Sequence, residues 1–274
     1  MEENNSFLID VEQIIRSKNG NKKPPALLVK ILKKIIHQDE INFVLPQWDG
    51  ESSFSFIQLT LDHLNAKIEV HGLENLPKDS TYVFASNHPL GGVDGMALGL
   101  FLGQQYDGNV KLLVNDLLLF MKPLKDLFVP VNTMGGQHRG TVDTVNDAYK
   151  SADQLVVFPA GACSRRIKGK IQDLEWKKNF ITKTIEFQRD IVPIYFEAKN
   201  SNFFYNLAYF RKKIGIKFNI EMLFLPHEMF SQKNKTFNIH IGKPIPWQTF
   251  DKSKTPVAWA QEVRKTVYEL SKNK

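Results

Sequence analysis

Ser86-Asn87-His88-Pro89-Leu90-Gly91-Gly92-Val93-Asp94-Gly95 follows a short apolar run, Tyr82-Val83-Phe84-Ala85, and precedes Met96-Ala97-Leu98-Gly99-Leu100-Phe101-Leu102. The first run reads as a buried strand and the second as a helix. Adjacent Gly91 and Gly92 allow a sharp turn or a close backbone approach to a ligand. Strand, Gly-rich turn and helix in that order put the turn at the carboxyl edge of an α/β sheet, where such sheets bind ligands. The turn carries His88, with Asp94 downstream. A carboxylate on one ring nitrogen fixes the tautomer and stabilises the imidazolium, so His88 is a candidate general base and Asp94 its orienting acid. A His at a strand end beside a helix-capping Asp produces the same spacing for structural reasons alone.

Outward from this turn, apolar runs at 67–71, 81–86, 110–114, 127–131, 154–158, 191–196, 219–225 and 236–241 read as strands. Helical periodicity covers 94–104, 141–151, 174–188, 202–213 and 256–272. Alternation of this kind implies an α/β domain with a central mixed, largely parallel sheet flanked by helices. The last two strands follow each other closely and are expected to pair antiparallel. Upstream, 7–17, 26–37 and 54–64 are helical, so residues 1–65 form a small helical N-terminal region and 66–274 the α/β domain. The second of these helices places Leu27, Leu28, Ile31, Leu32, Ile35 and Ile36 on one side with Lys30, Lys33 and Lys34 between. Its ordinary place is packed on the domain, with the lysines in solvent. Docking on an anionic bilayer is the alternative.

A formal charge of +7 over 274 residues favours anionic partners: nucleic acid, an anionic membrane surface or phosphate-bearing substrates. A single cysteine, Cys163, excludes a disulfide framework and a cysteine zinc cluster and fits the cytoplasm. The first residues lack the basic and apolar segments of a secretory signal. No apolar run approaches the ~18–20 residues of a spanning helix, so membrane contact is expected to be peripheral.

Two more strand ends carry Gly-rich loops. Phe158-Pro159-Ala160-Gly161-Ala162-Cys163-Ser164 leads into Arg165, Arg166, Lys168 and Lys170, a small-residue turn followed by cations that suits phosphate. A solvated basic loop would look the same. Phe128 to Gly140 is a strand followed by a loop with Gly135-Gly136 and Arg139. Ile191-Val192-Pro193-Ile194 is an apolar strand whose proline implies an edge, a bulge or a strand end.

In this order the four pieces resemble the glycerolipid acyltransferase family (PlsC type), which includes 1-acylglycerol-3-phosphate acyltransferases. Asn87-His88 with Asp94 resembles its N-H-x4-D block with one extra residue, which a bulge at Gly91-Gly92 would absorb. Asn132 to Arg139 stands in place of the second block. Phe158 to Ser164 resembles F-P-E-G-T-R-S, with Ala160 for Glu and Cys163 for Arg, and Val192-Pro193 resembles the fourth block. The similarity covers roughly residues 67–245. Gly161-Ala162-Cys163-Ser164-Arg165 with Asp173-Leu174-Glu175-Trp176-Lys177-Lys178 resembles a hemolysin-like bacterial branch, some members of which acylate a lyso-aminolipid.

The resemblance implies an O-acyltransferase, peripheral on the inner face of the cell membrane. It would move a fatty acyl group from acyl-CoA or acyl carrier protein to the hydroxyl of a lysophosphatidate or lyso-aminolipid. His88 and Asp94 would be catalytic, and Asn87, Gly91, Gly92, Arg139, Gly161, Ser164, Arg165 and Arg166 substrate-binding. No cofactor or metal is expected. Candidate acyl-chain contacts are Met96, Leu100, Phe101, Leu117, Leu118, Phe120 and Phe203-Phe204-Tyr205; for each, ordinary core burial is the favoured reading, because aromatic and Leu clusters are usually interior. The rivals are a basic nucleic-acid-binding module and a His/Asp-dependent lipid or thioester hydrolase. No zinc-finger, helix-turn-helix or RNP-like motif favours the first, and no Gly-x-Ser-x-Gly elbow favours a serine hydrolase.

Overall fold

The computed structural model describes residues 8–272 apart from 19, 49, 116–120 and 132–138. In chain order the helices and strands are α1 (Val11–Lys18), α2 (Ala26–Ile35), α3 (Gln38–Val44), α4 (Ser53–His63), β1 (Lys67–His71), β2 (Val83–Ser86), α5 (Val93–Gln105), β3 (Val110–Asn115), β4 (Phe128–Val131), α6 (Arg139–Lys150), β5 (Gln154–Val157), β6 (Arg165–Ile167), β7 (Lys170–Gln172), α7 (Asn179–Phe187), β8 (Ile191–Glu197), α8 (Asn202–Lys213), α9 (Leu225–Phe230), β9 (Thr236–Ile241) and α10 (Pro256–Leu270).

Seven strands form one sheet in the order β1-β9-β8-β2-β5-β3-β4. Among the described residues its pairings are parallel except that of β8 with β9. The result is the mixed, mostly parallel sheet that the sequence implied. The central strands β2 and β5 are buried at every residue because both of their faces are covered, and apolar side chains fill all but one position of each. Phe84, Val156, Val192 and Ile194 face a core shared with Phe56, Ile57 and Leu61 of α4 and Leu98 and Leu102 of α5. Val83, Ala85, Leu155 and Ile191 face the opposite core, with Phe180 and Ile181 of α7 and Val263 and Val267 of α10. The chain leaves β2 through α5 on the first face and leaves β5 through α7 on the second. The carboxyl ends of β2 and β5 therefore bound a switch point, the usual ligand position in such sheets.

Several expectations require correction. Residues 219–225 are not a strand but a 3-10 turn, Ile220–Phe224, running into α9. Its buried residue is Glu221, held by Arg165 and Arg211, so a charge anchors the segment rather than a ladder. The antiparallel partner of β9 is accordingly β8. The expected helix 174–188 starts only at Asn179, because Asp173 and Trp176 are buried anchors in the preceding chain. The basic stretch 165–170 lies in a hairpin of β6 with β7, turned at Lys168 and Gly169, both of positive φ (48° and 80°).

Pro193 lies in an interior strand, not an edge. Ile194 pairs with Ile241 but Ile191 with Ile245, so the register slips by one residue and the chain after β9 bulges opposite the proline. The Pro193 carbonyl accepts from the Gly242 amide at 2.9 Å. A Cβ on Gly242 would come within 2.8 Å of Pro193 Cγ and 3.1 Å of Leu270 Cδ2. Gly242→Ala should therefore cost about 1–3 kcal/mol through overpacking. A thermal melt should show a drop of several degrees, and an unchanged midpoint would contradict this packing.

Candidate active site

β2 ends at Ser86, and the next side chains lock the turn to the sheet. Asn87 is buried; its Nδ2 donates to the Phe196 carbonyl at 3.0 Å and its Oδ1 accepts the Phe196 amide at 2.7 Å. The Asn87 amide thus extends the ladder to β8 in the manner of a backbone group. Gly91 has φ +81°, and a Cβ there would meet Leu225 at 3.1 Å and Cys163 at 3.2 Å. Glycine is required at that position on both counts. Gly92 precedes the first residue of α5 and meets nothing within 4 Å.

The turn folds His88 back onto Asp94. His88 Nδ1 lies 3.0 Å from Asp94 Oδ2, so the extra residue between them is absorbed. Asp94 is wholly buried; its carboxylate also accepts from the amides of Leu90 at 2.9 Å, Gly91 at 3.4 Å and Gly95 at 2.9 Å. Burial alone would raise its pKa, but His88 and these amides outweigh burial and the net shift is downward. Burial alone would lower the His88 pKa; the charge and hydrogen bond of Asp94, with Asp173 beyond, outweigh it and the net shift is upward from 6.5. The His88 side chain keeps 17% exposure. Its ring stacks on Phe158 at 4.1 Å between centroids. With Nδ1–H donated to Asp94, Nε2 carries the lone pair.

The second turn is sewn to the first. The Ser164 amide donates to the His88 carbonyl at 2.7 Å. Buried Asp173 accepts the His88 amide at 3.2 Å, Ser164 Oγ–H at 2.6 Å and Trp176 Nε1–H at 2.9 Å. Burial raises the Asp173 pKa against the pull of these donors. In the sequence Asp173 stands out only within a family motif. Its three-residue offset from Trp176 was the available signal, and nothing in that spacing announces a buried carboxylate behind His88. Gly161 has φ +67°, and its amide closes the turn onto the Phe158 carbonyl at 2.9 Å.

The arginines are occupied. Arg165 donates to the Cys163 carbonyl at 2.7 Å and pairs with fully buried Glu221 at 3.0 Å, with its own side chain 13% exposed. Arg166 donates to Asn206 at 2.5 Å and Asn202 at 2.7 Å. Burial pushes the Cys163 thiol pKa up, and Arg165 does not offset it, which disfavours a thiolate nucleophile. Arg139 begins α6; the rest of the 132–139 block lies outside the described residues, as do Leu117, Leu118 and Phe120. Met96, Leu100, Phe101, Phe204 and Tyr205 are buried, whereas Phe203 is exposed. Among the described residues no group of His, Cys, Asp and Glu could hold a metal ion, and no helix is long and apolar enough to cross a membrane.

Known proteins resemble this chain over nearly its whole length. A family model described as acyltransferase matches residues 16–274. A lyso-glycine lipid O-acyltransferase of Bacteroides thetaiotaomicron is 53% identical over 272 residues, covering 98% of this chain and 100% of that protein. One of the same name from Phocaeicola vulgatus is 51% identical, with 98% of each chain covered. The crystal structure of the 1-acyl-sn-glycerophosphate (LPA) acyltransferase PlsC from Thermotoga maritima superposes with a TM-score of 0.50 at 15% identity, covering 96% of this chain and 89% of that one. That likeness concerns the fold.

Asp173→Ala should leave the His88 amide, the Ser164 hydroxyl and the Trp176 indole without an acceptor, at about 1–3 kcal/mol for each donor left dry. Asp173→Asn keeps one oxygen and should lose less. Thermal unfolding checks the order, and equal midpoints for both variants and the parent would contradict it.

Proposed function

The chain belongs to the acyltransferase family, and from that membership we propose that it moves a fatty acyl group from a thioester donor to the hydroxyl of a lysolipid. The observation that carries the mechanism is the 3.0 Å contact between His88 Nδ1 and buried Asp94. His88 Nε2 takes the proton of the acceptor hydroxyl as its oxygen attacks the thioester carbonyl. The tetrahedral oxyanion then collapses, the C–S bond breaks, and the imidazolium returns the proton to the departing thiolate. The amides of Leu90 and Gly91 are turned to Asp94. Those of Val93 and Asp94, in the first turn of α5, have no intrahelical acceptor and are the better oxyanion donors.

For the acceptor we favour a lyso-aminolipid of the class for which the relatives are named. The two guanidinium groups after the Phe-Pro turn that would grip a phosphate are engaged, Arg165 with Glu221 and Arg166 with Asn202 and Asn206. Ala160 and Cys163 are buried in the positions where the family motif has Glu and Arg. The donor is acyl-CoA or acyl carrier protein, both anionic and suited to a net charge of +7. The cytoplasmic membrane face is the proposed place of action. The apolar side of α2 supports bilayer contact, because Leu27, Leu28 and Ile31 are 69%, 44% and 48% exposed rather than packed.

Labelled acyl-CoA and acyl carrier protein, each offered a panel of lysolipids, test the reading. Transfer to a lyso-aminolipid is expected; release of fatty acid alone would make the protein a hydrolase, and neither product would contradict the reaction. His88→Ala should lower transfer by about 10²–10⁴ with the melting curve retained, and parental activity would remove the base. Because Asp94 raises the His88 pKa, the neutral base accumulates only above the ordinary 6.5. The kcat/KM profile should therefore rise through an apparent pKa above that value. Asp94→Asn should move this limb to lower pH while depressing the plateau; an unmoved limb would contradict the pairing.

A further inference from the structure

Between Glu197 and Glu221 the chain carries five Lys and Arg residues and no Asp or Glu. The same stretch turns large apolar side chains to solvent: Tyr209 is 63% exposed, Phe210 60%, Ile214 54%, Ile216 40% and Phe218 66%. Every residue from Lys212 to Asn219 is exposed. Single exposed apolar residues are ordinary on a protein surface, whereas a contiguous set interleaved with lysines marks an interaction site. The stretch is held in place at its base. Glu221, fully buried, pairs with Arg211 at 2.8 Å and with Arg165 at 3.0 Å. Arg211 also donates to the Ile216 carbonyl at 2.8 Å. The apolar side chains are thus presented by a bonded framework.

That framework borders the His88 turn. Leu225, just past Glu221, lies where a Cβ on Gly91 would meet it at 3.1 Å. Asn200 Nδ2 donates to the Pro89 carbonyl at 3.2 Å, and Phe204 and Tyr205 of α8 pack on Cys163. We infer that residues 209–223 are a docking surface for an anionic phospholipid bilayer, distinct from α2 and adjoining the mouth of the His88 turn. Ile214, Ile216 and Phe218 enter the boundary between headgroups and acyl chains while Lys212, Lys213 and Lys217 meet lipid phosphates. Charge selects this occupant. Each cation near an anionic surface adds roughly fivefold to partitioning, whereas a twofold dimer would press the same cations against one another. The inference rests on the proposed lipid acceptor, which the surface would meet at the height of the bilayer interface.

The test uses the full chain with vesicles of phosphatidylglycerol and phosphatidylcholine. The parent should sediment with them and lose most binding in phosphatidylcholine alone. Ile214→Ser, Ile216→Ser and Phe218→Ser combined should weaken binding by about tenfold or more, with an unchanged melting curve because all three side chains are exposed. A separate Phe218→Trp variant should show an emission blue shift when vesicles are added. Parental vesicle binding by the triple variant would overturn the inference. So would a blue shift that appears with rising protein concentration and no lipid, since that reports a second copy of the chain. Acyl transfer to a detergent-dispersed acceptor is measured in parallel. Its failure in the parent would sink the proposed reaction, whereas the vesicle results judge the surface.

Discussion

One buried carboxylate, Asp94, sets the state of His88, the imidazole just past the carboxyl end of β2. Its oxygens are fully subscribed: three backbone amides and the His88 ring hold them, and no part of the side chain reaches water. An ionised carboxylate survives burial only when so paired. The same pairing fixes the His88 ring with Nδ1 on Asp94, which leaves Nε2 as the nitrogen that can act as the base. Asp173 does for the backbone of His88 what Asp94 does for its ring, and through Ser164 and Trp176 it ties the turn after β2 to the turn after β5. The site is therefore built on two strand ends of a parallel sheet rather than on a mobile loop, which suits chemistry that needs its base held within a fraction of an ångström.

The positive charge of the chain divides into two populations. Arg165 and Arg211 are drawn inward onto Glu221, where the pair geometry compensates their desolvation and pins a segment that lacks a ladder of its own. The lysines of the same segment stay in water beside exposed isoleucines and phenylalanine. Arginine suits the first task because its planar fork satisfies several acceptors at once, and lysine suits the second as a hydrated point charge on a flexible stem. A basic composition thus does not by itself mean a phosphate site: of the two arginines singled out after the Phe-Pro turn, both are committed to protein partners.

The strand–turn–helix unit around His88 was legible because its apolar runs are uninterrupted, its glycines adjacent and its polar residues few. The contact between His88 and Asp94 also followed from that local pattern, since both lie in one turn. Residues that act over long range left weaker traces. Asp173 and Glu221 are buried acids that each reach one distant partner, His88 at 85 residues and Arg165 at 56, and no periodicity reports such a distance. Ile220, Met222 and Phe224 alternate like a strand, yet the burial of Glu221 on the opposite phase makes the segment a 3-10 turn. Pro193 implied an edge, a bulge or a strand end, and the bulge is what forms; local sequence could not choose among the three because the bulging residues belong to the chain after β9.

The central claim is that Asp94 holds His88 with its Nε2 lone pair available to an acceptor hydroxyl. Nitrogen-15 NMR of the imidazole in the resting protein, above the pKa of His88, tests it without any substrate. The account requires the neutral ring to be the Nδ1–H tautomer, with Nε2 showing the chemical shift of an unprotonated nitrogen. A ring protonated at Nε2 would contradict it.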